Sequence, residues 1–279
     1  MRALYVAMLA PALLSAAPVR APRPTPLPRI VSINPCLDAI LVEVADPAQI
    51  AGISAYSQDP RSTSIPLAVA RRFTALSGTA EEVVALRPDI VIGGAHVSPA
   101  TVAALKRMRI PLVQYPVPAT VDDSVAQVRA LAAVAGHPAR GVALARRIAA
   151  AAAPARLRPV PALIWGAGGL VPGAGTLPDE LLRRAGFSNS SAAYGLAQWD
   201  ILPLEYLVAR PPRVLLSTGL ADVGGERLAR HRAVRRLGAR ITLAPFAARL
   251  MNCGGPSIIA AMARLRAIRQ NVGRQGVGA

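Results

Sequence analysis

From residue 29 onward, short apolar runs alternate with amphipathic stretches. Arg29-Ile-Val-Ser-Ile-Asn34 reads as a strand closed by a polar turn. Asn34 then caps a helix with Pro35 at its first position, and Leu37 to Val44 is apolar at helical spacing. A second strand is predicted over Ile50-Ala-Gly-Ile-Ser54, followed by a polar loop from Tyr56 to Pro66. Thr79 caps the next helix, Glu81 and Glu82 occupy its first turn, and Pro88 ends it. Asp89-Ile-Val-Ile-Gly93 follows as a buried strand, Ser98-Pro99 opens another helix, and Pro111-Leu-Val-Gln-Tyr115 is the next strand. Such alternation predicts a parallel α/β sheet with crossover helices.

The pattern changes at Thr120-Val-Asp-Asp123, which has the spacing of a capping box. An alanine-rich helical region runs from there to Ala153, broken near Gly136 to Pro138. A second α/β series follows. Its predicted elements are a strand at Ala162-Leu-Ile-Trp165, helices over Asp179 to Ala185 and Leu204 to Ala209, strands at Arg213 to Ser217 and Arg240 to Ala244, and a final helix from Ser257 to Arg269. The halves echo one another: Glu81-Glu-Val-Val-Ala-Leu-Arg-Pro88 parallels Glu205-Tyr-Leu-Val-Ala-Arg-Pro-Pro212, and each runs into an apolar strand. The expected organisation is an N-terminal α/β lobe over residues 22–120, a linking helical region over 121–155 and a C-terminal α/β lobe over 156–279. The fold class is α/β, two Rossmann-like lobes with parallel central sheets joined by a single long α-helix.

Composition narrows the function. Hydrophobic residues make up 53% of the chain, which rules out a disordered protein. The net charge is +17, so nucleic-acid binding needs weighing. The arginines are scattered at helical spacing, and with aromatics at 4% no stacking platform is visible; no nucleic-acid partner is expected. Anionic ligands or lipids are a second reading of the charge, beside that of a solvated arginine-rich surface. Residues 1–21 read as a signal peptide: Arg2 precedes an apolar stretch that ends in small residues. No cysteine follows that stretch closely, so a lipid anchor is not expected, and a periplasmic monomer is.

Several phrases in order resemble the substrate-binding proteins of cobalamin, haem and ferric-siderophore ABC importers. They are Arg29 to Pro35, Gly52-Ile-Ser-Ala-Tyr-Ser57, Glu81 to Gly93, and Gly173-Ala-Gly-Thr-Leu-Pro-Asp-Glu-Leu-Leu182 with Ala185-Gly-Phe-Ser-Asn189. The resemblance implies that a small ligand sits between the lobes and is delivered to a permease and ATPase complex of the inner membrane. No intrinsic cofactor is implied; cobalt or iron would arrive as part of the ligand. It also implies that one glutamate per lobe, here Glu81 and Glu205, docks on the permease. The competing reading of each is an ordinary acid at a helix start.

In such a fold the loops after strands face the cleft. That rule selects Asn34, Cys36, Tyr56, His96, Trp165, Trp199, Asn252 and Cys253 as candidate ligand contacts. Tyr56 matches a ligand-lining position of the family, and each tryptophan has core packing as its alternative. Cys36 and Cys253 stand where the fold would bring them together. A disulfide, ligation of a soft metal or haem, and two unpaired buried thiols are all open; the preferred expectation is thiols near each other, unbonded, touching the ligand or its metal. His96 could join them at a zinc- or manganese-type site. A thiol-dependent periplasmic enzyme is the other competing class. No dinucleotide fingerprint, P-loop or nucleophile elbow is present, so an enzyme is not expected.

Overall fold

A computed structural model describes residues 26–218 and 231–275. The expected signal peptide lies outside the described residues. The first lobe contains β1 (Ile30–Ser32), α1 (Pro35–Val44), β2 (Ile50–Ser54), α2 (Leu67–Ala70), β3 (Ala75–Leu76), α3 (Ala80–Ala85), β4 (Ile90–Gly94), α4 (Pro99–Arg107) and β5 (Leu112–Tyr115). Its five strands lie in the order β3-β2-β1-β4-β5, all parallel. The chain builds outward from β1 through β2 to β3, then returns to the other side of β1 with β4. The order of strand addition therefore reverses between β1 and β4, and the crevice at that point lies beyond the carboxyl ends of both strands.

The lobes are joined by α5 (Val121–Val134) and α6 (Pro138–Ala151). Thr120 and Asp123 form the expected capping box. One joining helix was expected; the region is instead two helices packed against each other. The break falls where the sequence placed it. Gly136 adopts φ +80°, a left-handed conformation that ends α5, and Pro138 opens α6.

The second lobe comprises β6 (Val160–Trp165), β7 (Leu170–Pro172), α7 (Leu177–Arg184), β8 (Phe187–Asn189), β9 (Trp199–Ile201), α8 (Leu204–Ala209), β10 (Val214–Ser217), α9 (Arg232–Arg236), β11 (Thr242–Pro245) and α10 (Ser257–Gln275). Its parallel sheet has the order β11-β10-β6-β8, and β7 pairs antiparallel with β9 outside it. The strand predicted at Arg240–Ala244 begins at Thr242, because Gly238–Arg240 closes a 3-10 turn first.

Each lobe has a buried cluster of its own, and the largest cluster spans both lobes. Ile30, Ile53 and Ile92 of the first sheet belong to the same buried cluster as Ala162, Ile164 and Leu216 of the second, connected by residues of α1, α5, α6 and α10. Such a shared apolar interface opposes large relative motion of the two halves. Polar ties reinforce it: Glu180 Oε2 accepts from the Val121 amide at 2.6 Å, and Ser124 Oγ accepts from the Gly255 amide at 2.6 Å. At the turn between α5 and α6, Gln49 donates to the Ala135 carbonyl at 2.9 Å and Asp46 pairs with Arg140 at 2.7 Å. His137 is mostly buried there, 2.9 Å from Gln49 and 3.3 Å from Asp46.

Candidate functional site

Two connected chambers lie between the lobes and share Val117, Pro118, Asn252 and Gly254 on their walls. The first, about 280 Å³, sits against the carboxyl ends of β1, β4 and β5. The second, about 430 Å³, sits against α7 and the β7–β9 pair. Sites for small organic ligands commonly occupy about 300–1,000 Å³.

The first chamber is assembled by strand ends. Asn34 follows β1 and caps α1, its Oδ1 accepting from the amides of Cys36 at 2.9 Å and Leu37 at 3.2 Å. Gly94 ends β4 and leaves room for Asn34: a Cβ there would stand 2.6 Å from the asparagine nitrogen. His96 follows in the next turn and is exposed on the chamber wall. Tyr115 ends β5; it is buried, and its hydroxyl has no hydrogen-bond partner. Burial raises its pKa above the usual phenol value, which keeps the hydroxyl protonated. Gln127 reaches in from α5, its Nε2 donating to the Pro116 carbonyl at 2.9 Å. Opposite these, Glu82 accepts from both the amide and the hydroxyl of Ser77 at 2.7 Å, fixing the turn that lines the chamber at Ser77 and Gly78. Those bonds hold the Glu82 carboxyl below its ordinary pKa.

The second chamber is more apolar. Leu170, Leu177, Pro178, Trp199 and Met251 contribute to its walls. Trp199 pairs with Pro172 in the β7–β9 ladder, which holds the indole at the chamber with more than a third of its surface exposed. Among the described residues no Arg, Lys, Asp or Glu lines either chamber.

At the edge of the first chamber, whose wall includes Cys36, the lobes are covalently linked. Cys36 and Cys253 form a disulfide with their Cα atoms 5.1 Å apart, within the range a bridge requires. This overturns the expectation of two unbonded thiols. With both sulfurs in the bond, neither serves as metal ligand or nucleophile, and the Cys36, Cys253 and His96 trio does not form a metal site. Among the described residues no group of three or more His, Cys, Asp or Glu is placed to hold a metal ion. The bond lies beside the linker: Cys36 is in the first turn of α1, and the turn holding Cys253 is hydrogen-bonded to α5 through Gly255 and Ser124. Glycines permit that approach. A Cβ on Gly254 would meet Ser124 Oγ at 2.7 Å, and one on Gly255, at φ +62°, would meet Ile40 Cγ1 at 2.7 Å.

The other candidates fall into three groups. Asn34, His96, Trp199 and Asn252 line the chambers, Asn252 touching both. Tyr56 is exposed on a 3-10 turn after β2 and lines neither. Trp165 packs in the second lobe's own core with Val171, Leu202 and Leu215 and lines neither, so core packing is its role here. Glu81 and Glu205 occupy the second position of α3 and α8, each before the strand that follows. Both are exposed and neither has an ion-pair partner among the described residues.

Sequence reasoning passed over three residues. Tyr115 satisfies the same strand-end rule that selected Asn34. Gln127 lies mid-helix and gives no signal in the sequence. Asp38, fully buried in α1, accepts from the Ser54 amide at 2.9 Å and Ser57 Oγ at 2.7 Å, anchoring the turn that carries Tyr56. Burial raises its pKa from 3.8 to about 7.

A family model described as periplasmic binding protein matches residues 30–242. No curated protein sequence matches the chain. Solved structures do. The periplasmic heme-binding protein BhuT, in complex with two hemes, is 23% identical with a TM-score of 0.71, covering 88% of this chain and 98% of its own. The periplasmic heme-binding protein RhuT from Roseiflexus sp. RS-1 is 24% identical with a TM-score of 0.64, covering 86% and 98%. The periplasmic vitamin B12 binding protein BtuF of Vibrio cholerae is 16% identical with a TM-score of 0.67, covering 88% and 98%.

Proposed function

The chain belongs to the periplasmic binding protein family, and from that premise we propose that it captures a corrinoid, haem or ferric-siderophore type ligand between its lobes and delivers it to an ABC permease. The observation that carries this reading is the chamber pair itself. One wall is apolar and presents an exposed tryptophan, the other is polar and built from strand ends, and the two meet at Asn252. A large, flat ligand with an apolar face and a polar edge suits such a cleft. The similar structures named above for heme and vitamin B12 support the same class.

The docking surface follows from the two exposed glutamates. Each sits at a helix start with its carboxylate unpaired among the described residues, one per lobe, so a permease with matching cations would engage both lobes at once. The expected setting is the periplasm, which agrees with an intact disulfide. Among the described residues no helix is long and apolar enough to cross a membrane. The test is the visible absorption spectrum and metal content of protein purified from its native compartment. A bound corrinoid, haem or ferric complex supports the reading; protein that is colourless, and stays so after incubation with each of the three, contradicts it.

A further inference from the structure

The first chamber holds a particular set of uncommitted hydrogen-bonding atoms, and their identities are fixed by the partners the same side chains already have. Asn34 must present its oxygen to two backbone amides, so its NH₂ group is the end left over. Gln127 donates to the carbonyl of Pro116, a group that can only accept, so its Oε1 is left over. Tyr115 adds a buried hydroxyl without a partner. Buried polar groups in folded proteins are nearly always paired, and one left unpaired is destabilising until something pairs with it. The chamber thus offers donors from Asn34 and Tyr115 and an acceptor from Gln127. His96 and Asn252 also stand on its wall, and no Arg or Lys lines it among the described residues.

We propose that this chamber recognises an uncharged carboxamide-type group on the ligand's edge, with Tyr115 and Asn34 donating to its oxygen and Gln127 accepting from its nitrogen. The inference rests on the proposed function and names the ligand chemistry that the site prefers. A carboxylate fits less well. It would use the two donors but would face the Gln127 oxygen, and it would lose hydration without gaining an Arg or Lys as counter-charge. An amide uses all three groups and keeps none of them unpaired.

The decisive experiment compares two probes on two proteins. The probes are cyanocobalamin, whose ring edge carries primary amides, and its derivatives with one such amide hydrolysed to the acid. Binding is measured by equilibrium dialysis to the full chain and to Tyr115→Phe, and the melting temperature of each empty protein is recorded. The expected result is that at least one monoacid binds at least tenfold more weakly than the amide. Tyr115→Phe should weaken amide binding about tenfold, equivalent to about 1.4 kcal/mol. Its empty form should melt no lower than wild type, because the variant removes only an unpartnered hydroxyl. An empty Tyr115→Phe protein that melts lower than wild type would show the hydroxyl already partnered within the fold and would overturn the inference. Tight corrinoid binding indifferent to both changes would overturn the inference and leave the proposed function standing. So would failure of the corrinoid alongside tight binding of ferric haem, whose edge bears carboxylates. Failure of cyanocobalamin, ferric haem and a ferric hydroxamate alike would overturn the proposed function and this inference with it.

Discussion

Removing the bond between Cys36 and Cys253 should destabilise the protein substantially. The two residues are 217 positions apart, so the bond closes most of the described chain into a loop. On the chain-entropy model the unfolded state loses 2.1 + 1.5R ln n cal/mol/K, which for a loop of this length is about 18 cal/mol/K, or about 5 kcal/mol at 25 °C. The number is a ceiling, since residual structure in the unfolded chain reduces it. For a protein of this size each kcal/mol moves the melting temperature by roughly 2–4 °C, so the ceiling corresponds to about 10 °C or more. The shared core makes the single transition this arithmetic needs a reasonable expectation. The assay is thermal melting of wild type and of Cys36→Ala/Cys253→Ala, each with and without reductant, with thiols counted on the unreduced wild type. Wild type should show no free thiol and should melt well above the double variant; reductant should close that gap and leave the variant unmoved. Two titratable thiols before reduction, or a variant that melts within about 2 °C of oxidised wild type, would refute the reasoning.

Asp38 gives a pH signature. Its folded pKa is raised, so the native state holds a proton that the unfolded state has released; the stability contributed by the protonated form is lost as pH climbs from about 4 to about 7. At 1.36 kcal/mol per pH unit the rise corresponds to at most about 4 kcal/mol. Asp38→Asn should therefore be more stable than wild type above pH 7 and close to it at pH 4, read by urea unfolding across that range; an advantage that does not change with pH would remove the buried carboxyl as its cause. Gly255→Ala should cost about 2 kcal/mol or more, from its left-handed backbone and its contact with Ile40, and a melting temperature equal to wild type would contradict the wedged geometry of that turn. Reversing Glu81 and Glu205 together to Lys should abolish stimulation of the permease ATPase while ligand affinity changes less than twofold; a collapse of affinity would place them in the cleft.

Much of the fold was legible because local signals agreed. Asn34-Pro35, Thr79 with its two glutamates, Ser98-Pro99 and Thr120 with Asp123 each start a helix as expected. The β7–β9 pair was not legible. Its strands are three residues long, and they pair across an intervening helix, strand and turn. Their position depends on Gly173, which lets the backbone approach Gln198 and Ala197 more closely than any Cβ would permit. The break in the linker was read at Gly136, yet its consequence, a helix folded back on its neighbour, depends on packing among α1, α5, α6 and α10 that no local pattern encodes. The strand-end rule recovered five chamber residues, Cys36 among them, and three others, Tyr56, Trp165 and Cys253, line neither chamber. Trp165 ends a strand but turns into the second lobe's core, and Tyr56 is carried outward by a 3-10 turn. The disulfide was one of three open readings. Choosing among them required the distance between two loops 217 residues apart.

On the proposed function the ligand occupies the cleft between the lobes, against Trp199. The chain has two tryptophans, and Trp165 is buried away from both chambers. In a Trp165→Phe background, Trp199 alone reports. Titration of that variant with cyanocobalamin, ferric haem and a ferric hydroxamate should give saturable quenching with one-to-one stoichiometry for at least one of them. Binding detected by dialysis that leaves Trp199 fluorescence unchanged would place the ligand elsewhere on the protein and contradict the account.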